Sequence, residues 1–114
     1  MDTNPYFEMF IEESKEHLQA CNEHLLELEK NPENIAIVNE VFRSAHTLKG
    51  MSATMGYEDI ANLTHKMENV LDLLKQKIIP ADATSIALIF DCLDTLSDLV
   101  EDLREENDAE RDIT

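Results

Sequence analysis

The chain has 114 residues, of which 43% are hydrophobic, and this is enough for one domain with an apolar core of its own. Its 25 acidic and 9 basic side chains give a formal charge of −16, which disfavours nucleic acid and anionic lipid as partners. No stretch approaches the roughly 20 apolar residues of a membrane span, so we expect no membrane insertion. The lack of a secretion-signal pattern and the presence of only two cysteines favour a cytoplasmic location.

The first half of the chain carries apolar residues at spacings of three and four, which are typical of amphipathic helices. We predict a helix over 4–30, which Asn31 and Pro32 end. A second helix is predicted over 34–55, followed by Gly56 in the left-handed conformation common at helix C-termini. The positions predicted to face the core are Phe7, Phe10, Ile11, Leu18, Cys21, Leu25 and Leu28, then Ile35, Val38, Val41, Phe42, Ala45, Leu48, Met51 and Met55.

The second half of the chain continues the same pattern. We predict a third helix over 58–78 that ends before Pro80, and a fourth helix that Asp82 caps and that runs to Leu103. Nearly all residues after Leu103 are polar, so we expect the domain to span 4–105 and residues 106–114 to form an acidic tail or the start of a linker or fifth helix. The core positions predicted here are Ile60, Leu63, Met67, Val70, Leu71 and Leu74, then Ile86, Ile89, Phe90, Leu93, Leu96, Val100 and Leu103.

Four amphipathic helices with short connections, and no strand pattern, predict an all-α fold. Helices joined by short loops pack antiparallel, so the expected architecture is an up-down-up-down four-helix bundle. In the hairpin of the second and third helices, which turns near Gly56, residues whose numbers sum to about 112 lie opposite each other. His46 is therefore predicted to lie at the same level of the bundle as His65 and Glu68, which share one face of the third helix.

His46 lies at the edge of the apolar stripe of its helix, with Phe42 on one side and Lys49 on the other. The nearest positions one and two turns further on are Gly50 and Ala53, which leave this surface bare. A glycine inside a helix costs about 1 kcal/mol relative to alanine, so something should justify it. Close approach by another protein is a good candidate.

Basic residues gather near His46 although the chain is strongly acidic. Arg43, Lys49 and Lys66 are three of the nine basic residues, and the hairpin places all of them close to this histidine. Such a patch suits a doubly charged phosphoryl group. We therefore predict a docking surface around His46 that consists of Phe42, Arg43, Gly50, Ala53 and Lys66.

The predicted neighbours of His46 also suit nucleophilic chemistry. A carboxylate that accepts a hydrogen bond from Nδ1–H of a histidine fixes the tautomer and leaves the Nε2 lone pair free as a nucleophile. Glu68 is the candidate for that carboxylate. Lys49 is the candidate to neutralise a bound phosphoryl group, and His65 is a candidate to form a hydrogen bond near the same site.

Two plainer interpretations compete with this one. A histidine at the edge of an apolar stripe is commonly an ordinary surface residue. Helix bundles also hold di-iron centres, but these need two Glu-x-x-His motifs, and no histidine here has a glutamate three residues before it. His17, Cys21 and His24 share a face of the first helix and could bind zinc weakly, although Cys21 is needed in the core. We predict no metal site, and, without a P-loop or kinase glycine-rich loop, no cofactor in this domain.

The stretch AHTLKGMSATMGYEDIANLTHKMENVLD, residues 45–72, closely resembles the histidine phosphotransfer (HPt) domain at the N-terminus of chemotaxis histidine kinases of the CheA type. The HxxKG pattern that begins at His46 is typical of HPt domains in general. The Met-Gly pair ending at Gly56, the I--L-H--E spacing that ends at Glu68, and the acidic ELEKNPEN turn are typical of the chemotaxis type. The likeness is strong in the second and third helices and looser over about 4–105.

This resemblance implies that His46 is phosphorylated on Nε2 by a separate kinase catalytic domain that binds ATP and magnesium, usually in trans within a dimer. It further implies transfer to an aspartate of response-regulator receiver domains of the CheY and CheB type. Lys49, His65 and Glu68 match the family's hydrogen-bonded network around the histidine. The domain alone is then phosphoacceptor and donor, whereas the protein it resembles is an ATP-dependent kinase, a transferase. The alternatives are a stand-alone HPt relay protein and a non-catalytic helical scaffold or metal-binding bundle.

Overall fold

Four α-helices follow one another along the chain, and the computed structural model describes residues 5–113, with side chains up to residue 106. The helices are α1 (Pro5–Lys30), α2 (Ile35–Met55), α3 (Glu58–Lys75) and α4 (Ala83–Ile113). Each helix packs against the next, and α4 packs against α1, which closes the bundle. The predicted all-α four-helix bundle is confirmed.

The core is one continuous cluster of apolar side chains from all four helices. Every apolar position predicted in α1 is buried there. In α2 the turn that starts the helix differs from the prediction, because Ile37 is buried while Ile35 is only partly so. Fully burying an aliphatic side chain stabilises the fold by about 1.5–3 kcal/mol, so this cluster is the main force that holds the helices together. Its most deeply buried members are Ile11, Leu25, Leu28, Val38, Val41, Leu48, Met67, Leu71, Ile89, Leu93, Leu96 and Val100.

Several helix ends are set by local hydrogen bonds. Asn34 Oδ1 accepts the backbone N–H of a first-turn residue of α2 at 3.1 Å. Gly56 ends α2 with a φ of 79°, as predicted for the turn into α3. The predicted cap of α4 is present, because Asp82 Oδ1 accepts the Ser85 N–H at 3.0 Å while Ser85 Oγ accepts the Asp82 N–H at 3.1 Å.

The third helix is shorter than predicted, ending at Lys75 rather than at residue 78. Lys77 adopts a φ of 59°, and the Ile78 N–H donates to the Leu73 carbonyl at 2.9 Å. These are features of a helix C-terminus that ends in a residue with the left-handed conformation, here a lysine where glycine is usual. A lysine carries no signal for that conformation, so the early end could not be seen in the sequence.

The fourth helix is longer than predicted, because it continues beyond Leu103 to Ile113. The expectation of a helix end at Leu103 is therefore wrong. The residues that follow are mostly Glu, Arg, Asp and Ala, without the Gly or Pro that would stop a helix. The domain boundary after residue 105 stays a prediction, and residues 4 and 114 of the predicted ranges lie outside the described residues. Between residues 5 and 113, no helix is both long and apolar enough to cross a membrane.

Candidate functional site

His46 and Glu68 meet across the contact between α2 and α3, with 2.8 Å between His46 Nδ1 and Glu68 Oε2. The two side chains differ sharply in exposure, at 65% for His46 and 6% for Glu68. A buried carboxylate therefore holds one nitrogen of a largely exposed ring. The other nitrogen, Nε2, takes no part in this contact.

Lys49 lies one turn after His46 on α2 and approaches the same carboxylate. Its Nζ is 2.6 Å from Glu68 Oε1, so each carboxylate oxygen faces a side chain from α2. Burial opposes the charged form of Glu68, but the hydrogen bonds from Lys49 and His46 and the charge of Lys49 outweigh it, and the pKa of Glu68 lies below its ordinary value. The carboxylate is therefore ionised at neutral pH.

The ionised state of Glu68 fixes the tautomer of His46. An ionised carboxylate can only accept hydrogen bonds, so the 2.8 Å contact requires a proton on His46 Nδ1. A neutral imidazole with its proton on Nδ1 carries a lone pair on Nε2. In its neutral form the exposed ring thus has its lone pair on Nε2, which is the arrangement of a nucleophile.

An aromatic side chain lies beside the imidazole. Phe42, one turn before His46, is within 7° of parallel to it, with 6.4 Å between the ring centroids. Lys75, in the last turn of α3, places its Nζ 4.5 Å from the centroid of the Phe42 ring. Lys75 was not predicted at this site, although its position two turns after Glu68 puts both on one face of α3.

These side chains surround an open cleft of about 420 Å³ between α2 and α3. His65 lines the cleft, so the structure brings it to the same place as His46. Asn69 and Asp72 were missed, although each lies one turn after a predicted residue of α3, a spacing that identifies neighbours on a helix face. The residues that line the cleft are Phe42, His46, Lys49, His65, Glu68, Asn69 and Asp72.

Of the predicted docking residues, Phe42 lines this cleft, and the other four lie outside it. Arg43 and Lys66 are exposed, and neither lines the cleft. Gly50 and Ala53 are exposed on α2, and a methyl group added to Gly50 would meet no atom within 4 Å. The surface next to His46 is therefore as bare as predicted.

The alternative zinc site on α1 receives no support from the described residues, where no group of three or more His, Cys, Asp or Glu side chains is arranged to hold a metal ion. Cys21 is 2% exposed, and burial raises the pKa of its thiol to about 11. Zinc binds the thiolate rather than the thiol, so a buried thiol with a raised pKa is a poor ligand. His24 instead lies 3.6 Å from Glu27.

Comparison with known proteins agrees with the geometry. The family profile described as Hpt domain matches residues 5–111. The chemotaxis protein CheA of Bacillus subtilis (strain 168) is 50% identical over 114 residues, which are 100% of this chain but 17% of that protein. The chain thus spans about a sixth of the length of this relative.

Solved structures show the same fold. The CheA phosphotransferase domain from Thermotoga maritima is 43% identical, with a TM-score of 0.83 over 86% of this chain and 93% of that one. The phosphorylated P1 domain of CheA3, in complex with CheY6 from R. sphaeroides, has a TM-score of 0.82 over 90% of this chain and 80% of that one. Its identity of 24% makes this a likeness of fold alone. From the profile match over nearly its whole length, the chain belongs to the Hpt domain family.

Proposed function

We propose that this domain carries phosphoryl groups in chemotaxis signalling, with His46 Nε2 as the acceptor and donor atom. The observation that carries the proposal is the contact of 2.8 Å between Glu68 and His46 Nδ1, on a ring that is 65% exposed. This contact supplies the reactive tautomer, and the exposure lets a donor and an acceptor reach the other nitrogen.

Uptake forms a nitrogen–phosphorus bond. The Nε2 lone pair attacks the γ-phosphorus of ATP, the bond from that phosphorus to the bridging oxygen breaks, and ADP leaves with the electron pair. The ring then has substituents on both nitrogens and a positive charge, which the Glu68 carboxylate at Nδ1 balances. A separate kinase catalytic domain would supply ATP and magnesium, because the chain carries no recognisable phosphate-binding loop.

Delivery reverses these changes. A carboxylate oxygen of a receiver-domain aspartate attacks the phosphorus, the nitrogen–phosphorus bond breaks, and Nε2 recovers its lone pair. Lys49 is paired with Glu68 in the unphosphorylated domain, and its long side chain could also contact the phosphoryl oxygens. His65, which lines the same cleft, supports the site as a further hydrogen-bonding group.

The acceptors we propose are response regulators of the CheY and CheB type. The P1 domain of CheA3, which shares this fold, has been seen in complex with CheY6. The bare strip of Gly50 and Ala53 beside His46 leaves room for such a partner. Phe42, Arg43 and Lys66 flank the strip and complete the proposed docking surface.

The domain by itself is a substrate and donor rather than a complete enzyme. The relatives that it matches are several times longer, and we propose that the protein to which it belongs is a protein-histidine kinase acting in the cytoplasm. The bundle over 4–105 would then be its phosphotransfer domain, followed by a linker from about residue 106.

Labelling tests this proposal. The chain is incubated with radiolabelled ATP and a chemotaxis kinase core that lacks its own phosphotransfer domain. We expect acid-labile label on the wild-type chain and none on His46→Gln, because a glutamine cannot form the phosphorylated imidazole. His17→Gln, on α1, is the matched control and should be labelled like wild type. Label that persists on His46→Gln would overturn the assignment.

A further inference from the structure

We propose that Lys75 is a positioning residue for His46 and that it acts through the ring of Phe42. This inference rests on the proposed phosphoryl transfer at His46. The three side chains form a series that crosses from α3 to α2. The Lys75 ammonium lies 4.5 Å from the Phe42 centroid, and the Phe42 ring lies parallel to the imidazole, 6.4 Å away.

The imidazole needs a second contact to be fully oriented. Apart from its bond to Cβ, the ring is held by the hydrogen bond from Nδ1 to Glu68, and it can still tilt about the line through these two points. A flat neighbour beside the ring limits this tilt. Phe42 is that neighbour, and it thereby helps to fix the direction of Nε2.

Core packing alone does not fix Phe42 in this position. Its ring is only partly buried and lies at the rim of the core, where it packs against the buried cluster on one side. Lys75 supplies a contact from outside the core. The face of an aromatic ring is electronegative, so an ammonium group above it is attracted and holds the ring in place.

The surroundings of Lys75 leave it available for this contact. Asp72 lies one turn earlier on the same helix, and its Oδ2 accepts a hydrogen bond from Gln76 at 2.7 Å. The backbone is also held there, because the left-handed conformation of Lys77 ends α3 two residues later. Lys75 therefore projects from a fixed point of the helix.

Substitution of Lys75 tests the proposal. Lys75→Met keeps a long unbranched side chain but lacks the charge, whereas Lys75→Arg retains the attraction to the ring. We expect Lys75→Met to slow phosphorylation by the kinase core roughly two- to five-fold, the range of a cation–π contact at an exposed site, and Lys75→Arg to restore the rate. Lys30→Met, with the same charge change at the exposed end of α1, is the control and should behave like wild type.

Two further readouts separate positioning from a general effect of charge. Nuclear Overhauser effects between the ring protons of Phe42 and His46 should weaken in Lys75→Met, while urea unfolding shows a loss of stability no larger than the loss of this one contact. In a Phe42→Leu background, Lys75→Met should cause no additional loss of rate. The proposal is overturned if Lys75→Met matches Lys30→Met in phosphorylation rate and in the nuclear Overhauser effects. It is also overturned if Lys75→Met lowers the rate equally in the wild-type and Phe42→Leu backgrounds. If the wild-type chain takes up no label, the proposed function fails, but the nuclear Overhauser effects between Phe42 and His46 still test whether Lys75 positions the rings.

Discussion

Replacement of Glu68 by glutamine tests whether the buried carboxylate prepares His46 for phosphoryl uptake. The change keeps the shape of the side chain but removes the charge that His46 Nδ1 and Lys49 Nζ approach at 2.8 and 2.6 Å. An amide can accept through its oxygen or donate through its nitrogen, so it no longer obliges His46 to carry its proton on Nδ1. The cation formed on phosphorylation also loses its counter-charge.

The expected size of the effect follows from the contact itself. A hydrogen bond to a charged group contributes about 1.5–3 kcal/mol, and a change of about 1.36 kcal/mol in a barrier is tenfold in rate. If the whole contribution acts in the transition state, phosphorylation slows roughly 10- to 150-fold. The free energy of unfolding should fall less, by about 1–2 kcal/mol, because His46 is 65% and Lys49 31% exposed and water can solvate both.

The assay is the initial rate of label uptake from the kinase core at saturating ATP, together with urea unfolding followed by circular dichroism. Glu40→Gln makes the same charge change at an exposed position of α2 and should keep the wild-type rate. The loss of activity in Glu68→Gln should occur in a chain that remains folded. If the Glu68→Gln rate is within about twofold of the Glu40→Gln rate, the loss is far smaller than expected for a charged hydrogen bond. That result would remove Glu68 from the mechanism.

Three other predictions concern pH, thiol reactivity and the bare strip beside His46. The pKa of Glu68 is lower in the folded chain than the unfolded value of about 4.3. The contacts of Glu68 therefore contribute their full stabilisation above about pH 4.3, and this stabilisation is lost as the pH falls through the folded pKa. The difference in unfolding free energy between wild type and Glu68→Gln should therefore shrink below about pH 4.3, and a difference that grows there would contradict the direction of the pKa shift. Burial raises the pKa of Cys21 to about 11 and, together with Asp91, raises that of Cys92. Both thiols should react slowly with iodoacetamide at about pH 8, and mass spectrometry should find the partly buried Cys92 modified before Cys21; the reverse order would be evidence against the packing of α1. Gly50→Ala should raise the free energy of unfolding by roughly 0.5–1 kcal/mol, because the added methyl meets no atom within 4 Å. Gly50→Leu should slow transfer to a receiver domain without loss of stability, and a parallel loss of both would argue against docking at this strip.

The level at which His46 meets α3 could be predicted because the register of a helical hairpin depends only on its turn and on the rise of a helix. Gly56 marks the turn, and the structure has His46 and Glu68 in contact across it. The partner of Lys49 could not be predicted in the same way. A long flexible side chain can reach solvent, a phosphoryl group or a carboxylate, and the structure places its Nζ at Glu68 Oε1.

Helix ends show where sequence patterns carry less information. Asp82 was recognisable as a cap, because its carboxylate is suited to accept a backbone N–H of the first turn. Lys77 was not recognisable as a helix end, since a lysine rarely adopts the left-handed conformation that ends α3. The extension of α4 past Leu103 was missed for a different reason. Apolar periodicity detects the buried part of a helix, and a polar continuation of good helix formers has no such pattern.

The proposed function requires Nε2 of His46 to carry the phosphoryl group while Glu68 holds Nδ1. The most direct measurement is nitrogen NMR of the chain with isotope-labelled histidine, before and after phosphorylation by the kinase core. We predict coupling to phosphorus at Nε2 of His46 alone, while Nδ1 keeps its proton and its hydrogen bond. A phosphoryl group on Nδ1, or on any residue other than His46, would contradict the proposed mechanism.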